Sequence, residues 1–168
     1  MKRIITILAV LTATLAAAGC GGTTTVTKTV TVTHATSNEI AQFGYVKSLE
    51  RKGSGYEMRF DPALMLSGET ANVAAAEDGA VPAGQPVPND NYVVDEGHRL
   101  LTYEVPANAH VTVLTKGVTG SPISVAELAQ LVRGENPFGK PLFEPISTGF
   151  WIRVRIDTVR SLDQQYRP

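Results

Sequence analysis

The chain has 168 residues, which suits one domain of ordinary size with short additions. Its 15 basic and 16 acidic residues give a net charge of −1. Because nucleic-acid binders carry a concentrated basic patch, this balance argues against nucleic acid as a partner. Cys20 is the single cysteine and has no second cysteine for an intramolecular disulfide. An exported form of this chain would therefore be held together by its core alone.

The first residues of the chain are typical of an export signal. Lys2 and Arg3 precede an uncharged run over residues 4–18. That run of about 15 residues is short for a bilayer-spanning helix, which needs about 20, and it matches the apolar region of a secretory signal peptide. We expect a signal peptide over residues 1–19.

The segment that follows contains the only thiol. Its letters, Ala17-Ala18-Gly19-Cys20, resemble the lipobox of bacterial lipoproteins, although that family usually has Leu where this chain has Ala17. The resemblance implies a diacylglyceryl group on the Cys20 sulfur, cleavage before Cys20 and anchoring to the outer face of the cell membrane. An alternative is an ordinary signal-peptidase site at residues 16–18, which would release a soluble secreted protein.

A threonine-rich segment links this cysteine to the rest of the chain. Cleavage before Cys20 would remove Lys2 and Arg3, leaving 13 basic and 16 acidic residues and a net charge of −3. We interpret residues 20–38 as the lipidated cysteine with a tether, and residues 39–168 as a single α+β domain. The alternation of Thr and Val in the tether also permits an edge strand.

The first half of the predicted domain contains two strands and a helix. Strands are expected around residues 43–49 and 56–60, joined by a glycine turn at 52–55. Asp61 and Pro62 are a typical helix start, so helical structure is predicted over 63–77, interrupted at Gly68, capped again by Ser67 and ended by Gly79. Residues 80–91 are predicted to form a loop.

The second half is richer in strands. Short strands are predicted at 92–94, 100–105 and 110–114, with the last two forming a pair joined at 106–108. Ser124 and Glu127 have the spacing of a capping box, so a helix should start at Val125 and end at Gly134. A second loop leads to the clearest strand, 150–156, in which apolar and polar residues alternate, and residues 159–162 should pair back onto it.

The order of these elements indicates the fold class. Strands follow one another as hairpins and do not alternate regularly with helices, which favours an α+β domain over a parallel doubly wound sheet. We predict a mainly antiparallel, strongly bent sheet or small open barrel with two helices.

Residues 88–99 concentrate oxygen and imidazole ligands. Asp90, Asp95 and His98 lie within this segment and are candidate ligand-binding residues, or the acid and base of an envelope hydrolase. A turn with solvent-exposed carboxylates is the alternative. The spacing of a calcium loop is missing, and no third zinc ligand accompanies His98 and His110. No metal and no cofactor are therefore predicted.

A second candidate site lies on the strand at 150–156. Trp151, Arg153 and Arg155 share one face of it, at intervals of roughly 7 Å. An exposed face of this kind suits an anionic or sugar polymer of the cell wall, or an envelope protein, and Arg could lie over Trp as a cation–π pair. Alternatives are a solvated outer face, or one covered by a helix whose Glu side chains pair with the Arg residues.

Four segments of the predicted domain together resemble a family of small exported domains of Gram-positive bacteria. They are FDPALMLSGETANVAAAEDG (60–79), VPNDNYVVDEGHRLLTYEVP (87–106), SVAELAQLV (124–132) and WIRVRIDTVRSLDQQYRP (151–168). Members often have an acidic residue before the Gln-Tyr pair, where this chain has Gln164. The resemblance implies a shared fold and export, without a reaction or catalytic residues. Together these features predict a lipid-anchored extracytoplasmic binding or scaffolding domain.

Overall fold

The computed structural model describes residues 38–97 and 99–167. The predicted signal peptide, Cys20 and most of the tether lie outside the described residues, as do His98 and Pro168. Eight strands are β1 (Ile40–Lys52), β2 (Gly55–Ser67), β3 (Asn91–Val94), β4 (Leu101–Val105), β5 (His110–Val113), β6 (Ser121–Ile123), β7 (Phe150–Arg155) and β8 (Thr158–Gln164). Two α-helices are α1 (Gly68–Glu77) and α2 (Val125–Val132), and 3-10 turns cover Pro88–Asp90 and Ile146–Thr148.

Five strands close into a small barrel. β1 pairs with β2 and with β7, β2 pairs with β4, and β8 joins β7 to β4. β3 extends β2, while β5 and β6 continue the sheet beyond β8. The contacts of β8 with β4 and β5 are parallel, and the other pairings are antiparallel. The predicted α+β class, with a bent, mainly antiparallel sheet or small barrel and two helices, is confirmed.

β4 and β5 form strands as predicted, but they do not form a hairpin with each other. Glu104 of β4 pairs with Thr158 at the start of β8, and residues 110–112 of β5 pair with residues 161–163 farther along β8. The chain therefore bends at Pro106, whose carbonyl accepts the Ala109 amide, and then continues along the β8 strand. The prediction of a paired hairpin was wrong because a turn signal does not distinguish a bend from a reversal.

The predicted helix start at Asp61 and Pro62 was also wrong, because β2 continues through both residues to Ser67. Tertiary pairing overrides the local signal here. Pro62 lies opposite Gly44 of β1. The other edge of β2 pairs with β4 as far as Phe60 and with β3 from Leu64 onward. Pro62 lies between these two paired segments. The missing amide of Pro62 therefore removes no ladder bond to β3 or β4.

The barrel interior is the main hydrophobic core of the described residues. Inward side chains of the barrel strands, joined by those of β5, meet α2 there. Burial of such side chains is the largest favourable contribution to folding. Fully buried members include Met58, Phe60, Val113, Leu128, Phe150, Ile152 and Leu162. α1 packs separately through Ala71 and Ala75 against Val87, forming a smaller core outside the barrel.

The turn between β7 and β8 differs from the prediction. Ile156 was expected to face inward with Ile152 and Val154, but it is 79% exposed. Ile156 and Asp157 both have positive φ, at 47° and 58°, and together form the two-residue turn of this hairpin. Such turns match the right-handed twist of the strands that they join. Strand geometry therefore ends at Arg155, one residue earlier than the apolar pattern suggests.

The capping box of α2 is present as predicted. The Glu127 amide donates to Ser124 Oγ at 3.2 Å, and the Ser124 amide donates to Glu127 Oε2 at 2.7 Å. These bonds satisfy backbone donors that a helix start leaves open. Hydrogen bonds from the Ser124 amide and hydroxyl lower the pKa of Glu127 below its ordinary value of 4.5. α2 is thereby fixed over the core.

Replacing Ser124 with Ala should lower the free energy of unfolding at pH 7 by about 1 kcal/mol. Because the folded-state pKa of Glu127 is depressed, the contribution of its carboxylate is present above pH 4.5 and is lost as the pH falls through the lower folded value. The difference between the two proteins should therefore narrow in acid. Denaturant unfolding at pH 7 and at a pH well below 4.5 measures this difference in free energy, with Ser54→Ala in the exposed β1–β2 turn as the control. Equal stability of Ser124→Ala and the parent at pH 7 would contradict the prediction.

Candidate functional site

The carboxylates of the acidic segment before β4 lie at the surface of the described part of the chain. Asp90 and Asp95 are both exposed. Asp90 lies in a turn with φ at 54°, and Asp95 Oδ1 accepts the Gly97 amide at 3.2 Å. These features match the turn interpretation of the segment. A hydrolase that uses Asp90, Asp95 and His98 stays a prediction, since His98 lies outside the described residues.

No group of three or more His, Cys, Asp or Glu side chains within residues 38–97 and 99–167 is arranged to hold a metal ion. His110, which was weighed with His98 as a zinc ligand, is exposed at the start of β5.

The β7 face, defined here as Trp151, Arg153 and Arg155, is exposed as the alternation predicted. Phe150, Ile152 and Val154 are buried in the barrel, and the three intervening side chains point outward. Trp151 is 37% exposed. No helix covers Arg153 or Arg155, since both are exposed. Of the two alternatives, the solvated outer face matches the structure and the helix-covered face does not.

Trp151 is held in place on two sides. Its indole Nε1 donates to Gln165 Oε1 at 2.9 Å, and its ring lies 5.5 Å from that of Phe43, its cross-strand partner on β1. Phe43 is only 2% exposed and also contacts the Tyr45 ring at 5.9 Å. Aromatic contacts of this kind stabilise by about 0.5–1.5 kcal/mol beyond burial. The indole is therefore a rigid, half-open platform.

Gly149 makes the close packing under this platform possible. A Cβ at Gly149 would lie 2.6 Å from Cζ of Phe43, and the residue has φ at 97°. Both the space and the backbone conformation exclude a larger side chain. The glycine at the end of the second loop thus allows Phe43 to lie beneath Trp151.

The guanidinium groups of the β7 face are not neutralised by neighbouring carboxylates. None of the ion pairs among the described residues involves Arg153 or Arg155. Asp163, which lies opposite Trp151 on β8, accepts hydrogen bonds from Thr112 and Ser161. The predicted Arg–Trp cation–π pair is not among the contacts of the described chain, where Lys47 lies over Tyr45 at 5.4 Å.

Lys47 has a carboxylate partner of its own. Its Nζ lies 2.9 Å from Oδ2 of Asp61, which is 7% exposed. Oδ1 of Asp61 has no hydrogen-bond partner within the described chain. A buried carboxylate requires a compensating charge, so Lys47 serves the fold. The positive charge of the β7 face itself comes from Arg153 and Arg155.

Gln164 is a structural residue whose role the sequence did not reveal. It is 8% exposed at an inward position of β8. Its Oε1 accepts the Leu114 amide at 2.8 Å, and its Nε2 donates to Thr148 Oγ1 and to the carbonyls of Glu144 and Pro145. One buried amide therefore joins β8, the end of β5 and the second loop. The predicted strand ended at Leu162, so the inward position of Gln164, two residues farther along β8, was not predicted.

The C-terminal residues continue this network on the outer surface. The Gln165 amide donates to the Gly149 carbonyl at 2.9 Å, and the Gln165 side chain accepts the Trp151 indole. The Tyr166 ring lies 6.1 Å from that of Phe143. The Gln-Tyr pair, noted in the sequence only as a landmark, thus fixes both the tail and one edge of the β7 face.

No protein-family model, curated protein or solved structure matches this chain. Within the described residues, no helix combines the length and the apolar character needed to cross a bilayer.

Replacing Gln164 with Glu should destabilise the domain by about 2–3 kcal/mol at pH 7. The substitution removes the Nε2 donor and places a buried carboxylate against the carbonyl oxygens of Glu144 and Pro145. Burial should raise the folded-state pKa of this Glu above its ordinary value of about 4.3. Protonation restores one donor, so the loss should diminish as the pH falls through the raised value and should level off below about pH 4. Thermal and denaturant unfolding measure both effects. Gln85→Glu, at an exposed loop position, makes the same charge change as a control. A loss no larger than that of the control would refute the assigned role of Gln164.

Proposed function

We propose that this chain is a lipid-anchored binding domain of the cell envelope, and that its β7 face binds an anionic sugar polymer. The observation that carries the proposal is an exposed Trp151, held by Gln165 and Phe43, on the same strand face as two arginines that enter no ion pair among the described residues. Exposed aromatic and arginine side chains are enriched in binding surfaces. No nucleic acid is implied as a partner.

The geometry of the β7 face suits a repeating anion. Alternate side chains of a strand lie about 7 Å apart on the same face, so Arg153 and Arg155 present two charges in a row behind the indole. Guanidinium groups donate in a fork that matches phosphate and carboxylate oxygens. The apolar face of a sugar ring can stack on the half-exposed indole. A charged polymer therefore gains contacts that a neutral polymer or an isolated ion lacks.

The proposed anchor is supported by the sequence around Cys20. One acyl chain gives marginal membrane binding, whereas two or three give lasting attachment.

Replacing Cys20 with Ser should release the protein from the membrane into the medium, because no thiol remains to accept a lipid. Fractionation of cells that express the full chain measures this, and mass spectrometry of the N-terminal peptide identifies the lipid. The matched control is Ser37→Ala, a small substitution in the tether that leaves the thiol in place. Retention of Cys20→Ser in the membrane fraction, equal to that of the control, would count against the anchor.

The double substitution Arg153→Gln with Arg155→Gln should weaken binding of a polyanion at least tenfold, because both accessible charges of the face are lost. The probe is dextran sulfate, with uncharged dextran of the same length for comparison, titrated into the full chain in detergent by calorimetry. Binding by the parent should fall as salt is raised.

A matched control removes two charges elsewhere. Arg51→Gln with Lys116→Gln changes net charge equally at exposed positions outside the β7 face and should bind almost as tightly as the parent. Trp151→Phe keeps the ring contact with Phe43 while removing the indole donor, and should cost less affinity than loss of the arginines. If both double variants weaken equally, binding depends on net charge and the β7 face is not the site.

A further inference from the structure

A cavity of about 430 Å³ lies between the two 3-10 turns and the C-terminal tail. Its lining consists of Pro88, Asn89, Asn91, Ser147, Thr148 and Arg167. This volume is within the range of small-molecule sites. The lining residues come from three separate segments, and none of them belongs to the β7 face or to the acidic residues selected from the sequence.

The lining chemistry is that of a donor pocket. Arg167 contributes a cation that enters no ion pair within the described chain, and none of the six lining side chains is a carboxylate. Asn91 uses one Nδ2 proton on the Asn89 carbonyl, at 2.8 Å, and retains the other. No hydrogen bond to another described residue occupies the Ser147 hydroxyl. A guanidinium, an amide and a hydroxyl therefore line the same space, and none of the described lining residues is anionic.

Both walls of the cavity are fixed by contacts that do not need a ligand. Asn89 and Asp90 take positive φ in succession, 59° and 54°, a conformation that few residues other than glycine adopt. The Asn91 amide holds that turn. On the opposite wall, Thr148 Oγ1 donates to the Pro145 carbonyl and accepts from Gln164 Nε2. A preformed site loses less conformational entropy on binding.

We propose that this cavity binds a small hydroxylated oxyanion of the sugar-phosphate class. Arg167 binds the phosphate oxygens, which guanidinium donors match, while the amide and hydroxyl groups of Asn91 and Ser147 accept or donate to sugar hydroxyls. The volume accommodates a monosaccharide in addition to the anion. This site is separate from the polymer-binding face and does not depend on it.

The test is calorimetric titration of the full chain with glucose 1-phosphate, with glucose and inorganic phosphate as comparison probes. We expect glucose 1-phosphate to bind more tightly than either probe. Arg167→Gln should weaken its binding at least tenfold, Arg167→Lys should weaken it less, and Ser147→Ala should weaken it about twofold.

Two controls separate this site from the β7 face and from general charge effects. The Arg153→Gln, Arg155→Gln double variant and the Arg51→Gln variant should both bind glucose 1-phosphate as the parent does. An unchanged dissociation constant in Arg167→Gln, or no binding of glucose 1-phosphate by the parent, would overturn the proposal. Loss of binding in the β7 double variant with retention in Arg167→Gln would also overturn it.

Discussion

The buried amide of Gln164 is the interaction on which the architecture of one end of this barrel depends. The end of β8, the loop between α2 and β7 and the end of β5 meet there. Without this side chain several of their backbone groups would be unsatisfied, and buried polar groups without partners are costly. One side chain accepts from Leu114 and donates to three oxygens of the loop. Gln164 also pairs with Phe150, so the start of β7 is fixed by the same residue. Both candidate sites lie next to this junction: Trp151 follows Phe150, and Thr148 lines the cavity.

The elements that local patterns could predict are those whose stability is itself local. The Ser124–Glu127 capping box needs only four consecutive residues, and the alternation of β7 needs only six, so both were visible in the sequence. The failures have tertiary causes. Asp61 resembles a helix cap, but its carboxylate pairs with Lys47 across the β1–β2 hairpin. Ile156 fits the apolar register of β7, but the tight turn to β8 places it in solvent.

The two candidate sites also differ in how far local sequence patterns could predict them. The β7 face is built from alternate residues of one strand, and its exposure follows from the burial of their neighbours, so sequence alone could place its three residues. Its rigidity could not be predicted, because Phe43 and Gln165 reach Trp151 from distant positions. The cavity joins residues around 90, 147 and 167, and only the closed barrel brings these segments together. The composition of the acidic segment suggested a binding site, but its described carboxylates are exposed in turns.

Chemical-shift mapping of the isotope-labelled full chain with dextran sulfate tests most directly whether Trp151 and the two arginines beside it, which enter no ion pair among the described residues, form a polyanion-binding surface. The chain has one tryptophan, so the indole N–H of Trp151 gives a single assignable signal. If the β7 face binds the polyanion, this signal and the amides of β7 and its partners β1 and β8 should move together along a saturable curve, and uncharged dextran should have little effect. An indole signal that does not move, with the shifts concentrated on α1 or the β1–β2 turn, would contradict it.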